Sequence, residues 1–204
     1  MSIFDDLKRQ LNKGLNQVFN NGKKELEKNI KNTINGTNKK WTVTWSELPK
    51  TLDELKALPE AQLKEPYQAA ALTVAALCRY SDSREDSIAM LDYLRGPAGP
   101  MSQRDKDFIR DRHMDGQTYI ARSYFEGAVP DNDYTPSKPY KLIISANPVP
   151  IPEENYMSVL LTSGGADSPR QITLRNKPST GQWFLWEQFL LSGIRIPKSK
   201  DAWA

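Results

Sequence analysis

Apolar residues recur at steps of three and four through the first 34 positions of the chain. Because an α-helix has about 3.6 residues per turn, this spacing places them along one side of a helix. Lysines fall mostly away from that side, so the pattern predicts a basic amphipathic helical arm. The apolar stripe consists of Phe4, Leu7, Leu11, Leu15, Val18, Leu26, Ile30 and Ile34, with Gly22 in the same register.

A short polar segment separates this arm from the rest of the chain. Residues 35–40 read Asn-Gly-Thr-Asn-Lys-Lys and show no apolar period, which is typical of a linker. Residues 41–45 then alternate Trp, Thr, Val, Thr and Trp, the period-two pattern of a half-buried strand. The pattern therefore predicts two regions, an arm with its linker at 1–40 and a globular domain at 41–204.

The next segment predicts a series of helices. Thr51 with Glu54, and later Ser102 with Asp105, have the spacing of N-terminal capping boxes. A helix that begins at Pro66 is apolar nearly all round, so we expect it to form the buried centre of the fold. The expected helices cover residues 51–59, 66–80, 83–95, 102–116 and 119–125.

From Gly127 onward prolines interrupt any helical pattern, and β-branched and aromatic runs take over. The candidate strands are Tyr140 to Ala146, Tyr156 to Ser163, Arg170 to Asn176 and Gln182 to Leu191. Short loops join the last three, which favours an antiparallel meander. The predicted class is α+β: a helical half followed by a mostly antiparallel C-terminal sheet, with the N-terminal amphipathic helical arm in front.

Charge is unevenly distributed between the two regions. Residues 1–40 hold nine Lys and Arg against four Asp and Glu, whereas the whole chain of 204 residues carries a net charge of only +3. Any attraction to anionic surfaces should therefore reside in the arm, and the domain has no character of a nucleic-acid binder. Asp5 and Asp6 stand where a signal peptide needs positive charge, and the chain has no long apolar run, so we expect a cytoplasmic protein.

Catalytic and cofactor signals are weak. His113 is the single histidine and Cys78 the single cysteine, too few for a typical zinc site, so we expect no metal. We interpret His113 as a helix C-terminal residue whose positive form suits the dipole, and Cys78 as an inert apolar residue. Glycine-rich nucleotide loops and a serine elbow are absent, so no cofactor is predicted. A hydrolase with two paired carboxylates stays open, because only three-dimensional spacing identifies such a pair.

The segment from Ser163 to Arg170 is the most distinctive of the chain. Its glycines can expose backbone N–H groups as an anion nest, with an arginine as partner for a carboxylate or phosphate. A hairpin loop with core aromatic residues is the alternative interpretation. The candidate ligand-binding residues are Gly164, Gly165, Asp167, Arg170 and Arg175.

This segment also carries a resemblance to a known family. Together with Ile172-Thr173-Leu174-Arg175, Trp183-Phe184-Leu185-Trp186-Glu187, Gly193-Ile194-Arg195 and Ala202-Trp203-Ala204, it resembles an uncharacterised bacterial domain of unknown function best known from Firmicutes. The resemblance covers about residues 48–204 and leaves the arm outside. It implies a bacterial, cytoplasmic origin and no assigned activity, cofactor or catalytic residue.

These observations favour a non-catalytic binding or protein-interaction module over an enzyme. The apolar stripe of the arm needs a covering surface, so we expect a homo-oligomer or a protein partner held through the arm, with Phe4, Leu7, Leu11, Leu15, Val18, Leu26 and Ile30 in the interface. Two alternatives stay open: a hydrolase with paired carboxylates in a cleft between the helical and β halves, and a peripheral membrane protein attached through the basic arm.

Overall fold

Four α-helices occupy the first half of the described chain, which covers residues 39–203 of a computed structural model. Each begins close to its predicted start, since the N-terminal caps form as the sequence pattern indicates. Thr51 and Ser83 each accept a hydrogen bond from a backbone N–H three residues on, and Ser102 with Asp105 forms a reciprocal capping box. The helices are α1 (Leu52–Ala57), α2 (Pro66–Arg79), α3 (Arg84–Arg95) and α4 (Gln103–Arg112).

The second half of the chain supplies most of a five-stranded sheet. The strands are β1 (Lys40–Trp45), β2 (Tyr140–Ala146), β3 (Tyr156–Leu161), β4 (Arg170–Lys177) and β5 (Gln182–Gln188). They lie in the order of the sequence, and every neighbouring pair is antiparallel. The predicted α+β class and the meander of the last strands are confirmed, and the strand at Trp41 joins the same sheet through β2.

Helix α2 lies at the centre of the core, as its continuous apolar sequence predicts. It contacts α3 and strands β2 to β5, and its residues from Ala69 to Leu77 are fully buried. The sheet face that packs against α2 presents alternate residues from each strand. Burial of large aliphatic side chains from both the helix and the sheet stabilises the packing of these two layers. Those strand residues are Leu142, Ile144, Val159, Leu161, Ile172, Leu174 and Leu185.

Several predicted boundaries differ from the structure. The strands expected to end at Ser163 and Leu191 end at Leu161 and Gln188. Helix α4 ends at Arg112 and not near Gly116, because His113 leaves the helical conformation (φ −105°, ψ 1°). Asp115 then adopts a left-handed backbone (φ 56°) within a separate 3-10 turn at Met114–Gly116. The short helix expected at residues 119–125 is a 3-10 turn at Ala121–Tyr124. Both of these helical differences fall in the segment from Met114 to Tyr124, where short 3-10 turns replace a longer helix.

The described residues from Lys40 onward form one compact unit. Within the described chain, no helix combines the length and the apolar character needed to cross a membrane. The predicted amphipathic arm and its stripe lie outside the described residues, so the arm stays a prediction from the sequence.

Candidate functional site

A cavity of about 790 Å³ lies beside the C-terminal end of α2. Helix α2 supplies one wall with Cys78 and Arg79, and the 3-10 turn at Ala121–Tyr124 supplies Arg122. Segments that are far apart in sequence thus meet around one space. The remaining lining residues are Glu47, Leu48, Pro49, Lys50, Ala75, Ser81, Asp82, Thr118, Phe125, Thr135, Pro136, Lys138 and Tyr140.

Arg122 is a lining residue with a buried guanidinium nitrogen and no charged partner among the described residues. Its Nε is buried, and no hydrogen bond or ion pair joins its guanidinium to another residue in the range 39–203. A buried donor without a partner costs about 1–3 kcal/mol, and more when the group is charged. A guanidinium presents donors in a fork that matches a carboxylate or a phosphate, so Arg122 is suited to hold an anion in this cavity.

Arg79 presents a second guanidinium to the same cavity. Its terminal nitrogens lie 3.4 Å from Asp82 and 3.3 Å from Asp86, while its Nε is buried without a hydrogen-bond partner. The hydrogen bond from Ser83, together with the hydrogen bond and charge of Arg79, outweighs the effect of burial and lowers the pKa of Asp86, so this carboxylate stays ionised and fixes Arg79.

The exposed rim carries a further ion pair. Lys138 donates to Glu47, and this hydrogen bond with the lysine charge lowers the pKa of Glu47 and raises that of Lys138. Four cationic side chains therefore line the cavity against two carboxylates: Lys50, Arg79, Arg122 and Lys138 against Glu47 and Asp82. Since Lys138 and Arg79 are paired, the excess positive charge lies at Arg122 and Lys50.

Cys78 adds a thiol to the wall of the cavity. Burial raises its pKa to about 12, although the nearby charge of Arg122 acts in the opposite direction. A thiol with such a pKa is almost entirely protonated at neutral pH, and the thiolate is the nucleophilic form. The arrangement can therefore bind an anion, whereas thiolate catalysis is disfavoured.

The family model for a domain of unknown function, DUF6935, matches residues 47–198. The chain belongs to this family. The match contains all of the cavity-lining residues, from Glu47 to Tyr140, and starts just after β1. The resemblance to a domain family of unknown function is thereby confirmed, and the family carries no assigned activity.

Comparison with curated proteins and with solved structures gave no match.

The glycine-rich segment forms the loop between β3 and β4 of the DUF6935 domain. Gly164 donates its N–H to the carbonyl of Ser123 at 2.9 Å, and Gly165 donates to Oγ of Ser163 at 3.0 Å. A β-carbon on Gly164 would lie 2.0 Å from the carbonyl oxygen of Ala128. Glycine is therefore required at this position by the close approach of the two backbones. The proposed role of the two glycines in ligand binding stays a prediction.

The charged residues of the predicted ligand site are spread along the sheet. Asp167 pairs with Arg195. Arg170 donates four hydrogen bonds, to the carbonyls of Ser168, Ser192 and Gly193 and to Oγ of Ser168. Arg170 therefore ties two loops together.

Arg175 lies five residues further along β4 and is not brought together with the glycine loop. Its guanidinium carbon lies 5.2 Å from the ring centroid of Tyr156 and 5.0 Å from that of Trp186. Five residues of strand correspond to about 17 Å.

His113 caps the C-terminal end of α4, as the sequence predicts. Its Nδ1 lies 2.8 Å from the carbonyl oxygen of Ile109, and its ring lies 4.5 Å from that of Tyr80. Burial, with the charge of Arg84, lowers the pKa of His113, so the neutral form is favoured and not the positive form that we expected. No group of three potential metal ligands exists among the described residues.

Sequence reasoning missed Arg79 and Arg122. A signal for Arg122 exists, since it is the one charged residue between Tyr119 and Phe125 in an otherwise largely apolar run. An isolated charge in such a run indicates a group held at the edge of the core.

The predicted interface residues of the arm lie outside the described residues. They are Phe4, Leu7, Leu11, Leu15, Val18, Leu26 and Ile30.

Proposed function

We propose that the DUF6935 domain is a non-catalytic binding module that takes a small anionic ligand, a carboxylate or phosphate, between Arg122 and Arg79. The observation that carries this proposal is the guanidinium of Arg122, which lines a cavity of about 790 Å³ with its Nε buried and unpartnered. A charge-assisted hydrogen bond to that group would offset the cost of its burial.

Hydroxyl groups support the same ligand chemistry. Ser81, Thr118 and Thr135 line the cavity, and their side chains can donate to further oxygens of a carboxylate or phosphate. The apolar residues Leu48 and Phe125 leave room for a carbon skeleton attached to the anionic group.

A paired-carboxylate hydrolase receives less support from the same site. Such an enzyme needs one carboxyl group with a raised pKa as general acid. The pKa of Glu47, which lines the cavity, is lowered by Lys138. The pKa of Asp86, which does not line the cavity but pairs with the lining residue Arg79, is lowered by Ser83 and Arg79. Both groups are therefore suited to pair with cations.

Isothermal titration of the full chain with inorganic phosphate and with citrate tests the proposal. We expect binding that weakens at least about tenfold in Arg122→Gln, since a charge-assisted hydrogen bond contributes about 1.5–3 kcal/mol. Arg110→Gln is the matched control, because it removes an exposed arginine that pairs with Asp107 and Asp111. Equal affinity in the two variants, or no binding of either anion, would overturn the proposal.

We further propose, from the sequence, that the arm provides protein contacts and that the protein is cytoplasmic. The apolar stripe of the arm supports a homo-oligomer or a protein partner, and the basic charge leaves an anionic membrane as the alternative. The free Cys78 supports a reducing compartment.

A further inference from the structure

A groove runs along the second half of β5, on the sheet edge opposite β1. Two cavities of about 640 and 290 Å³ lie there, and both are lined by Arg95, Leu185 and Trp186. Since they share these three residues, they adjoin each other along β5 and together form the groove. One side of the larger cavity is formed by α4.

β5 is the terminal strand of the sheet, and only its first half is covered. The N–H of Trp183 donates to the carbonyl of Leu63 at 2.7 Å, and the side chain of Gln182 donates to the carbonyl of Gln62. From Phe184 to Gln188 the strand lines the groove instead. A groove between an edge strand and a helix is a geometry that binds peptides in an extended conformation.

Three partly exposed aromatic side chains mark the groove as a binding surface. Phe108 is 38% exposed, Trp186 40% and Phe189 47%, and all three line the larger cavity beside the buried Leu185 and Met101. Large apolar side chains clustered at a surface indicate an interaction site more often than single exposed ones do. Aromatic residues also supply much of the binding energy at protein interfaces.

The charge of the groove decides what its occupant carries. Four cations line it, and none of them makes an ion pair within the described chain: Arg95, Arg104, Arg175 and Lys177. The two acidic lining residues are Asp105 and Glu187, and the carboxylate of Asp105 already accepts hydrogen bonds from Ser102.

The cations of the groove thus outnumber the available carboxylates, which favours an acidic occupant. The N-terminal arm, with nine basic against four acidic residues, carries the wrong charge for this groove.

We propose that the groove between α4 and β5 binds an extended segment of a partner protein that combines apolar and acidic side chains. The apolar side chains pack on Phe108, Trp186 and Phe189, and the carboxylates face Arg175 and Lys177 at one end. This site is separate from the cavity at Arg122 and does not depend on the ligand proposed there.

A selection from a display library of random 12-residue peptides, with the full chain as target, tests the proposal. We expect the enriched peptides to combine acidic with apolar residues. Measured singly by fluorescence polarisation, they should bind Arg175→Gln plus Lys177→Gln about tenfold more weakly than the unmodified chain. The matched control, Lys198→Gln plus Lys200→Gln, removes the same charge elsewhere on the surface and should bind normally.

A second variant separates groove contact from a general effect of charge. Phe189→Ala should weaken the same peptides about tenfold, whereas Val149→Ala, at an exposed valine outside the groove, should not. The proposal is overturned if no peptide is enriched, if the enriched peptides are basic, or if they bind all variants equally. It is also overturned if vesicles of phosphatidylserine and phosphatidylcholine occupy the groove and the peptides do not displace them.

Discussion

The phenol oxygen of Tyr134 occupies the space that a side chain on Gly165 would need. A β-carbon at Gly165 would lie 2.0 Å from this oxygen and 2.8 Å from Cγ2 of Ile194. The hydroxyl is held in place, because it donates to the carbonyl of Arg195 at 2.7 Å. The loop after β3 and the segment after β5 are thus joined through Tyr134, and only glycine fits at the junction.

Gly165→Ala should lower the free energy of unfolding by about 1–3 kcal/mol, the usual cost of overpacking a close contact. Urea denaturation measures this loss. Tyr134→Phe removes the closest atom, so Gly165→Ala should cost less in that background than in the unmodified chain. An equal cost in both backgrounds would contradict the contact as the cause.

Cys78 should react slowly in the folded protein. Because burial raises its pKa to about 12, only a trace of thiolate exists at pH 8. We expect alkylation by iodoacetamide to be at least about a hundredfold slower than in urea, where an ordinary thiol pKa near 8.5 applies. Mass spectrometry of quenched samples gives both rates, and similar rates would show that the thiol is accessible and activated.

The stability of the domain should fall as the pH is lowered from 7.5 to 5.5. The pKa of His113 is lower in the folded state than the unfolded value near 6.5, so the unfolded chain binds more protons in this range. Stability is therefore complete above the unfolded pKa and decreases as the pH drops through it toward the folded pKa.

Urea denaturation of His113→Gln at the same pH values isolates this effect, because the variant should show a smaller decrease. Glu47 and Asp86 also have lowered pKa values, but carboxyl groups lose their contribution only at more acidic pH. A decrease of the same size in the variant would assign the pH dependence to other groups.

The arm gives a prediction about assembly. Leu11→Asp plus Leu15→Asp places two charges in the apolar stripe, so it should lower the oligomeric state seen by multi-angle light scattering.

Deletion of residues 1–36 should leave a domain that still unfolds cooperatively. A monomeric unmodified protein with salt-sensitive binding to anionic vesicles would favour the membrane alternative.

The local elements of the fold could be predicted from the sequence because their determinants are local. Thr51 and Ser102 cap helices through residues three positions away, and alternation across residues 41–45 places Trp45 toward the core. The sequence of α2 is apolar nearly all round, and this pattern predicts that the helix is buried.

The cavity could not be predicted, because no local pattern places its parts together. Glu47, Arg79, Arg122 and Lys138 come from four segments. The pairing of β1 with β2 brings Glu47 beside Lys138, and Arg79 and Arg122 join them only through tertiary packing. The predicted ligand site failed to include them for the same reason, since it was based on a continuous segment. Arg175 was singled out from the sequence, but its neighbours Tyr156 and Trp186 come from the adjacent strands.

The position of β1 bears on how this family is to be handled in the laboratory. The family match begins at residue 47, whereas β1 ends at Trp45 and pairs with β2 from Lys40↔Ser145 to Trp45↔Tyr140. A fragment cut at the family boundary would lose the buried Val43 and Trp45 and leave β2 as a bare edge. An uncovered edge strand is a template for aggregation. Insolubility of such a fragment would therefore result from the loss of β1 and would not be a property of the complete domain.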